Sequence, residues 1–204
     1  TKLTPLGASP DDALDVGEVA LLLATASRPG VPLTPYRRHL KKLAKDVGNY
    51  TLGADRDKLA LRCDALRQIV SKRYGYSGAA DAFDDAEGSN MTRVIDRRRG
   101  LPVMLAILYL HAGRKNGWDI VGIAFPARFL IRLNYQGRRA ILDPFDNGRF
   151  ITPVDMRALF KSVAGSGAEL TPRHYSASTN RETLLRVQDN AKVRLLREDR
   201  LQEA

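Results

Sequence analysis

The sequence predicts a mixed α and β fold of the α+β kind, helical at both ends with a helix–strand core between. Three observations predict it. Apolar residues recur at helical spacing in three stretches before residue 75. Residues 90–148 then run from an apolar helix behind Gly100, through two or three strand-like stretches, to a Leu142-Asp143-Pro144-Phe145 turn. The final segment returns to helical spacing behind Thr179-x-x-Glu182, a capping-box pattern.

Each element has a local reason. Ser9-Pro10-Asp11-Asp12 is a start signal: a serine cap, proline at the first helical position, and acids where the helix dipole favours them. Ala13, Val16, Ala20 and Leu23 follow on one face, and Arg28-Pro29-Gly30-Val31-Pro32 ends that helix. Thr34-Pro35 starts a second, with Tyr36, Leu40, Leu43 and Val47 on its apolar side. A third is expected from about Asp55 to Tyr74, buried along Leu59, Cys63, Leu66 and Val70. Cys63 on that stripe reads as a packed, inert thiol, since a reactive one needs a partly exposed, electropositive setting.

Gly75 to Ser89 reads as a connection. Its acids Asp81, Asp84, Asp85 and Glu87 do not match the spacing of a calcium loop, so a solvated stretch is expected. Asn90 is expected to cap a short helix over 91–98, with Arg97 to Arg99 at its favourable C-terminal end. Thr152-Pro153 opens another short helix to about Ser162, before a Gly165-Ser166-Gly167 loop. The last helix places Leu184, Val187, Ala191 and Leu195 on one face. Trp118, Phe125, Phe145 and Phe150 are expected to pack the sheet. His111, inside the apolar helix, reads as a satisfied buried imidazole.

Composition narrows the class. With 204 residues the chain makes one generous domain or two small ones. The longest apolar run, Val103 to Leu110, is far short of a membrane span. A lone cysteine excludes an internal disulfide framework and a multi-cysteine zinc site. The chain opens on Thr1, as if trimmed, and carries acids at Asp11, Asp12, Asp15 and Glu18 where a transit peptide would be basic. A cytoplasmic protein with no membrane partner is the expectation. The net charge of +10 is spread over Arg37-Arg38-Lys41-Lys42, Arg97-Arg98-Arg99, Arg138-Arg139 and the last helix. Dispersed arginine fits a solvated surface or an acidic protein partner better than a nucleic-acid groove.

Three motifs carry the chemistry: Gly100-Leu101-Pro102 with Ala106, then Pro126-Ala127-Arg128-Phe129-Leu130-Ile131-Arg132, then Leu142-Asp143-Pro144-Phe145. Their order resembles the transglutaminase-like core, in the degenerate branch found in bacterial SirB-type proteins. The resemblance is strong over residues 75–150 and rests on layout elsewhere. It implies a papain-like cysteine protease-type α+β fold with a small antiparallel sheet. Active members carry a Cys–His–Asp triad; here the matching positions are Pro102, Arg128 and Asp143. Proline cannot attack, and arginine stays protonated and cannot act as a base. Strand alternation puts Arg128, Leu130 and Arg132 on one face. The resemblance further implies that Arg128 faces Asp143, where the family's His and Asp would meet, as an ion pair.

By the same resemblance the chain divides into a helical segment (1–74), the core (75–170) and a C-terminal helix (171–204) that leads into tetratricopeptide-like repeats in the family. Asn90, Arg97, Arg98 and Arg132 form an expected binding rim. The functional expectation is a non-catalytic, regulatory pseudoenzyme that binds a protein or peptide, with no cofactor and no metal site. Two other classes stay open. One is a hydrolase or acyl transferase with a relocated mechanism on Asp143 and Arg128, and the other is a basic nucleic-acid binder.

Overall fold

The computed structural model describes residues 8–53, 58–78, 86–126 and 128–197. A 3₁₀ turn at Asp11–Ala13 leads into helix α1, Val16–Ser27. Helix α2 is Thr34–Tyr50, and α3 is Lys58–Leu66, running on as a π-helical segment, Arg67–Arg73. Strand β1 (Ser77–Gly78), a 3₁₀ turn (Ala86–Ser89), helix α4 (Met91–Arg97) and strand β2 (Arg99–Gly100) precede the central helix α5, Pro102–Lys115. Strands β3 (Asp119–Ile123), β4 (Leu130–Tyr135), β5 (Arg138–Asp143) and β6 (Arg149–Phe150) follow, with a 3₁₀ turn at Pro144–Asp146. Helix α6 (Pro153–Ala164), a turn at Pro172–Tyr175 and helix α7 (Asn180–Arg197) complete the order.

Helix α5 organises the molecule. Its residues are apolar on every side, and each from Pro102 to Gly113 is buried. A helix apolar all round can satisfy itself only inside a core. Accordingly α1, α2, α3, α7 and the sheet all pack on it. Each fully buried leucine there contributes roughly 1.5–3 kcal/mol of transfer free energy.

The sheet is antiparallel in the order β3-β4-β5-β6, with three strands before the Pro144 turn, within the two or three expected there, and the two-residue β6 after it; the short pair β1-β2 is parallel and separate. Alternation decides what each face covers. Phe129, Ile131 and Leu133 join the large core, while Leu130 joins Ile123, Phe125, Ile151 and the α6 residues Met156 and Phe160 in a smaller one. Strands β4 and β5 turn through Gln136-Gly137, both at positive φ (49° and 76°), the geometry a tight hairpin requires. The large core runs from Leu14 to Val187, so the sequence segments 1–74, 75–170 and 171–204 share one packed interior.

Four expectations need correction. The first helix starts at Asp15, not Ser9, because the Asp15 carboxylate accepts from Gly17 N (3.0 Å) and Glu18 N (3.1 Å). Asp11 caps α7 instead, accepting from Asn180 N and Arg181 N at 3.0 and 2.8 Å. Phe150 is not core: it is 41% exposed, and Arg67 lies over its ring at 5.2 Å. The third helix changes to π geometry after Leu66, and its expected start at Asp55 lies outside the described residues, as do Asp81, Asp84 and Asp85. Cys63 is fully buried, and the Thr179–Glu182 box forms, with Glu182 N donating to Thr179 Oγ1 at 3.0 Å. No described helix is long and apolar enough to cross a membrane.

Candidate functional site

Pro102 begins α5 as its first residue, after Leu101 in extended conformation (φ −67°, ψ 158°). Its fixed φ suits a helix start, and its side chain is buried. Gly100 just before it is dictated by space, since a β-carbon there would meet Val94 Cγ2 at 2.8 Å.

Asp143 ends β5 and turns inward, only 2% exposed. Its Oδ1 accepts from Phe145 N at 2.9 Å and Asp146 N at 3.4 Å, which makes it the cap of the 3₁₀ turn. Arg128, at the entry to β4, brings Nε to 3.3 Å from Asp143 Oδ2 and stacks its guanidinium over the Phe145 ring at 4.7 Å. The two residues meet as the resemblance implied. The Nε alignment falls short of a hydrogen bond, so the contact is an ion pair reinforced by stacking.

Burial pushes the Asp143 carboxyl above the usual carboxylate range, and the backbone donor of Phe145 and the charge of Arg128 only partly offset that. Behind the pair, Tyr109 is fully buried and its hydroxyl lies 2.6 Å from Ser71 Oγ. Burial drives that phenol well above its ordinary value, with the nearby Asp143 charge adding to the rise.

The four rim residues do not form one surface. Asn90 is buried; it caps α4 through Thr92 N and Arg93 N and donates to Ala24 O and Ser27 Oγ. Arg97 pairs with Glu87. Arg132 lies under Tyr175, with Nη1 3.5 Å from its carbonyl oxygen. Arg98, at φ 60°, turns inward to His39 Nε2 (2.9 Å) and to the Tyr76 hydroxyl. Asn90 and Arg98 are therefore structural, because α4 needs a cap and its end needs anchoring to α2.

That anchor has a pH signature. Burial, with Arg98 and Lys42 adding, lowers His39 to about 4 from 6.5. The neutral ring is favoured in the folded state, so its contribution is complete above 6.5 and is lost as pH falls toward 4. Between about pH 7.5 and about pH 4.5, the native chain is expected to lose about 1–2 kcal/mol more than His39→Gln, after discounting for water around the half-buried ring. Urea unfolding of both chains at the two pH values checks this; equal losses refute it.

Two clefts, of about 500 and 480 Å³, open around Asp15, His111 and Lys115, and neither is lined by Pro102, Arg128 or Asp143. Sequence reasoning missed this cluster. The signal was Asp15-Val16-Gly17-Glu18, a second capping pattern six residues after the one at Ser9. Among the described residues, no three His, Cys, Asp or Glu side chains converge as metal ligands would.

A family model described as the transglutaminase-like superfamily matches residues 34–189. The chain belongs to the transglutaminase-like superfamily. Within it, the chain is 34% identical to a UPF0162 protein of Vibrio cholerae over 93% of its own length and 69% of that protein's. It is 27% identical to a UPF0162 protein of Xylella fastidiosa over 78% of its length and 56% of that protein's. The chain thus spans between half and seven-tenths of these bacterial relatives. A shorter stretch, 41% of the chain, is 30% identical to mouse F-box only protein 21 and covers 13% of that protein. No solved structure matches.

Proposed function

We propose that this member of the superfamily is a non-catalytic docking module that binds a protein or peptide. One observation carries the reading: the positions matching the reactive thiol and its base hold a buried proline and an arginine paired to a buried aspartate. Proline supplies no nucleophile, and a permanently protonated guanidinium accepts no proton. What the site offers a partner is the Arg128 edge, 30% exposed and stacked on Phe145. A planar cation on an aromatic ring suits an acidic side chain or a terminal carboxylate.

The relocated-enzyme reading draws support from the raised Asp143 carboxyl, since a carboxyl poised above its usual range could move a proton. Labelling with thiol- and serine-directed probes separates the two. The docking reading expects no stoichiometric, site-specific modification beyond Cys63; any such modification elsewhere restores the enzyme. Capture of partners from the source cell should depend on position 128, compared between the native chain and Arg128→Ala in an Asp143→Asn background that keeps the fold. Equal capture by both moves the docking surface to the helical flanks. Nucleic-acid binding predicts a gel shift at low salt that falls steeply as salt is added.

A further inference from the structure

We propose that the Asp15–His111–Lys115 cluster is the floor of a binding site for a small organic anion, an oxyanion head on an apolar body. The site lies on α5 nine residues from Pro102, a rise of roughly 13 Å. It stands whether or not the Arg128 face docks a protein.

The cluster is built in layers. Asp15 Oδ1 accepts the first backbone amides of α1 and lies 3.4 Å from His111 Nδ1, while Oδ2 accepts from Lys115 Nζ at 2.8 Å. Three kinds of donor on one carboxylate hold it ionised: the His111 contact, Lys115 and the helix amides keep it far below the usual carboxylate range. With Asp15 accepting, one ring proton belongs on Nδ1, and Nε2 donates to an oxyanion head only in the doubly protonated ring; in the singly protonated ring it accepts from a protonated head group. His111 is only 7% exposed yet lines both clefts. Its place is reserved by Gly17, where a β-carbon would come within 2.5 Å of Nδ1.

Charge selects the occupant. The second cleft is lined by Arg37, Lys41, Lys45 and Lys115 against two acids, Asp15 and Glu18. Those acids are already engaged: Glu18 holds Arg37 through Nε at 2.9 and 3.0 Å, and Asp15 holds Lys115. Lys41 and Lys45, one turn apart on α2, are the surplus. Leu40 and Ala44 supply an apolar wall to the same cleft. A cleft of about 480 Å³ with two surplus cations, a buried imidazole and an apolar side suits a small aromatic or aliphatic acid or phosphate ester.

The probes are phenyl phosphate, benzoate and the neutral control benzamide, titrated into the intact chain. Two readouts apply: calorimetry, and the ring ¹⁵N signals of the chain's three histidines. Saturable binding of one or both anions, with the His111 signals moving and those of His174 still, is expected; which anion binds identifies the head group. Affinity should fall at least about tenfold in the exposed-surface variant Lys41→Glu/Lys45→Glu. It should also fall in His111→Gln, and the ring signals of the native chain report on His111 directly if that variant fails to fold. No saturable binding of either anion, His111 signals unmoved at saturation, or benzamide bound as tightly as the anions would each overturn the proposal.

Discussion

Replacing Arg128 by alanine is expected to destabilise the protein by about 2 kcal/mol near about pH 8, and by little in acid. The change strands Asp143, which is 2% exposed, without its cation. Breaking a fully buried pair typically costs about 3–5 kcal/mol. The smaller figure follows because Arg128 is 30% exposed and the Phe145 and Asp146 amides still hold Oδ1. The sign with pH comes from the raised Asp143 carboxyl. Such a group contributes stability below its unfolded value of 3.8 and loses it as pH rises through the folded value. Removing Arg128 raises the folded value further, so the deficit opens as pH rises. Adding Asp143→Asn, which keeps an acceptor for the turn but carries no charge, should recover more than half of it. Urea unfolding of the two single variants and the double one closes the cycle; a deficit that does not vary with pH would show that Arg128 acts through packing alone.

Gly148→Ala should cost about 3 kcal/mol, while Gly137→Ala costs about 1. Both glycines have positive φ, 71° and 76°, so left-handed strain is common to the pair. The surroundings differ. A β-carbon at Gly148 would meet Arg67 Cγ at 2.7 Å and the Tyr109 hydroxyl at 2.8 Å, whereas nothing lies within 4 Å at Gly137. Gly148 also closes the turn that carries Asp143, its amide donating to the Asp143 carbonyl at 2.8 Å. The comparison therefore isolates overpacking behind the Arg128–Asp143 pair. Thermal unfolding of both variants measures it, and equal losses would mean that the crowding relaxes at no cost.

Much of this architecture was legible because local rules and tertiary demands agreed. Pro102 starts a helix wherever it sits, Asn90 caps one, and Thr179 with Glu182 forms a box, since each needs only neighbours three or four residues away. The buried faces of α2 and α3 followed from spacing alone, as Leu40, Leu43, Val47, Leu59, Cys63 and Leu66 show. Where local signals competed, sequence could not arbitrate. Ser9 carries the obvious start signal, yet Asp15 is the cap, and Asp11 reaches α7 instead, some 170 positions along the chain. Phe150 read as core, but β6 is a two-residue edge strand whose side chain lies under Arg67.

The candidate sites divide the same way. The motifs around Gly100, Pro126 and Leu142 were legible in the sequence, and their resemblance to the transglutaminase-like core implied the meeting of Arg128 with Asp143. Only the tertiary structure decided that burial outweighs the arginine at Asp143, that Asn90 and Arg98 are spent on packing, and that Asp15, His111 and Lys115 share a wall. Desolvation and cavity shape depend on atoms from every part of the chain at once, and no window of neighbouring residues contains them.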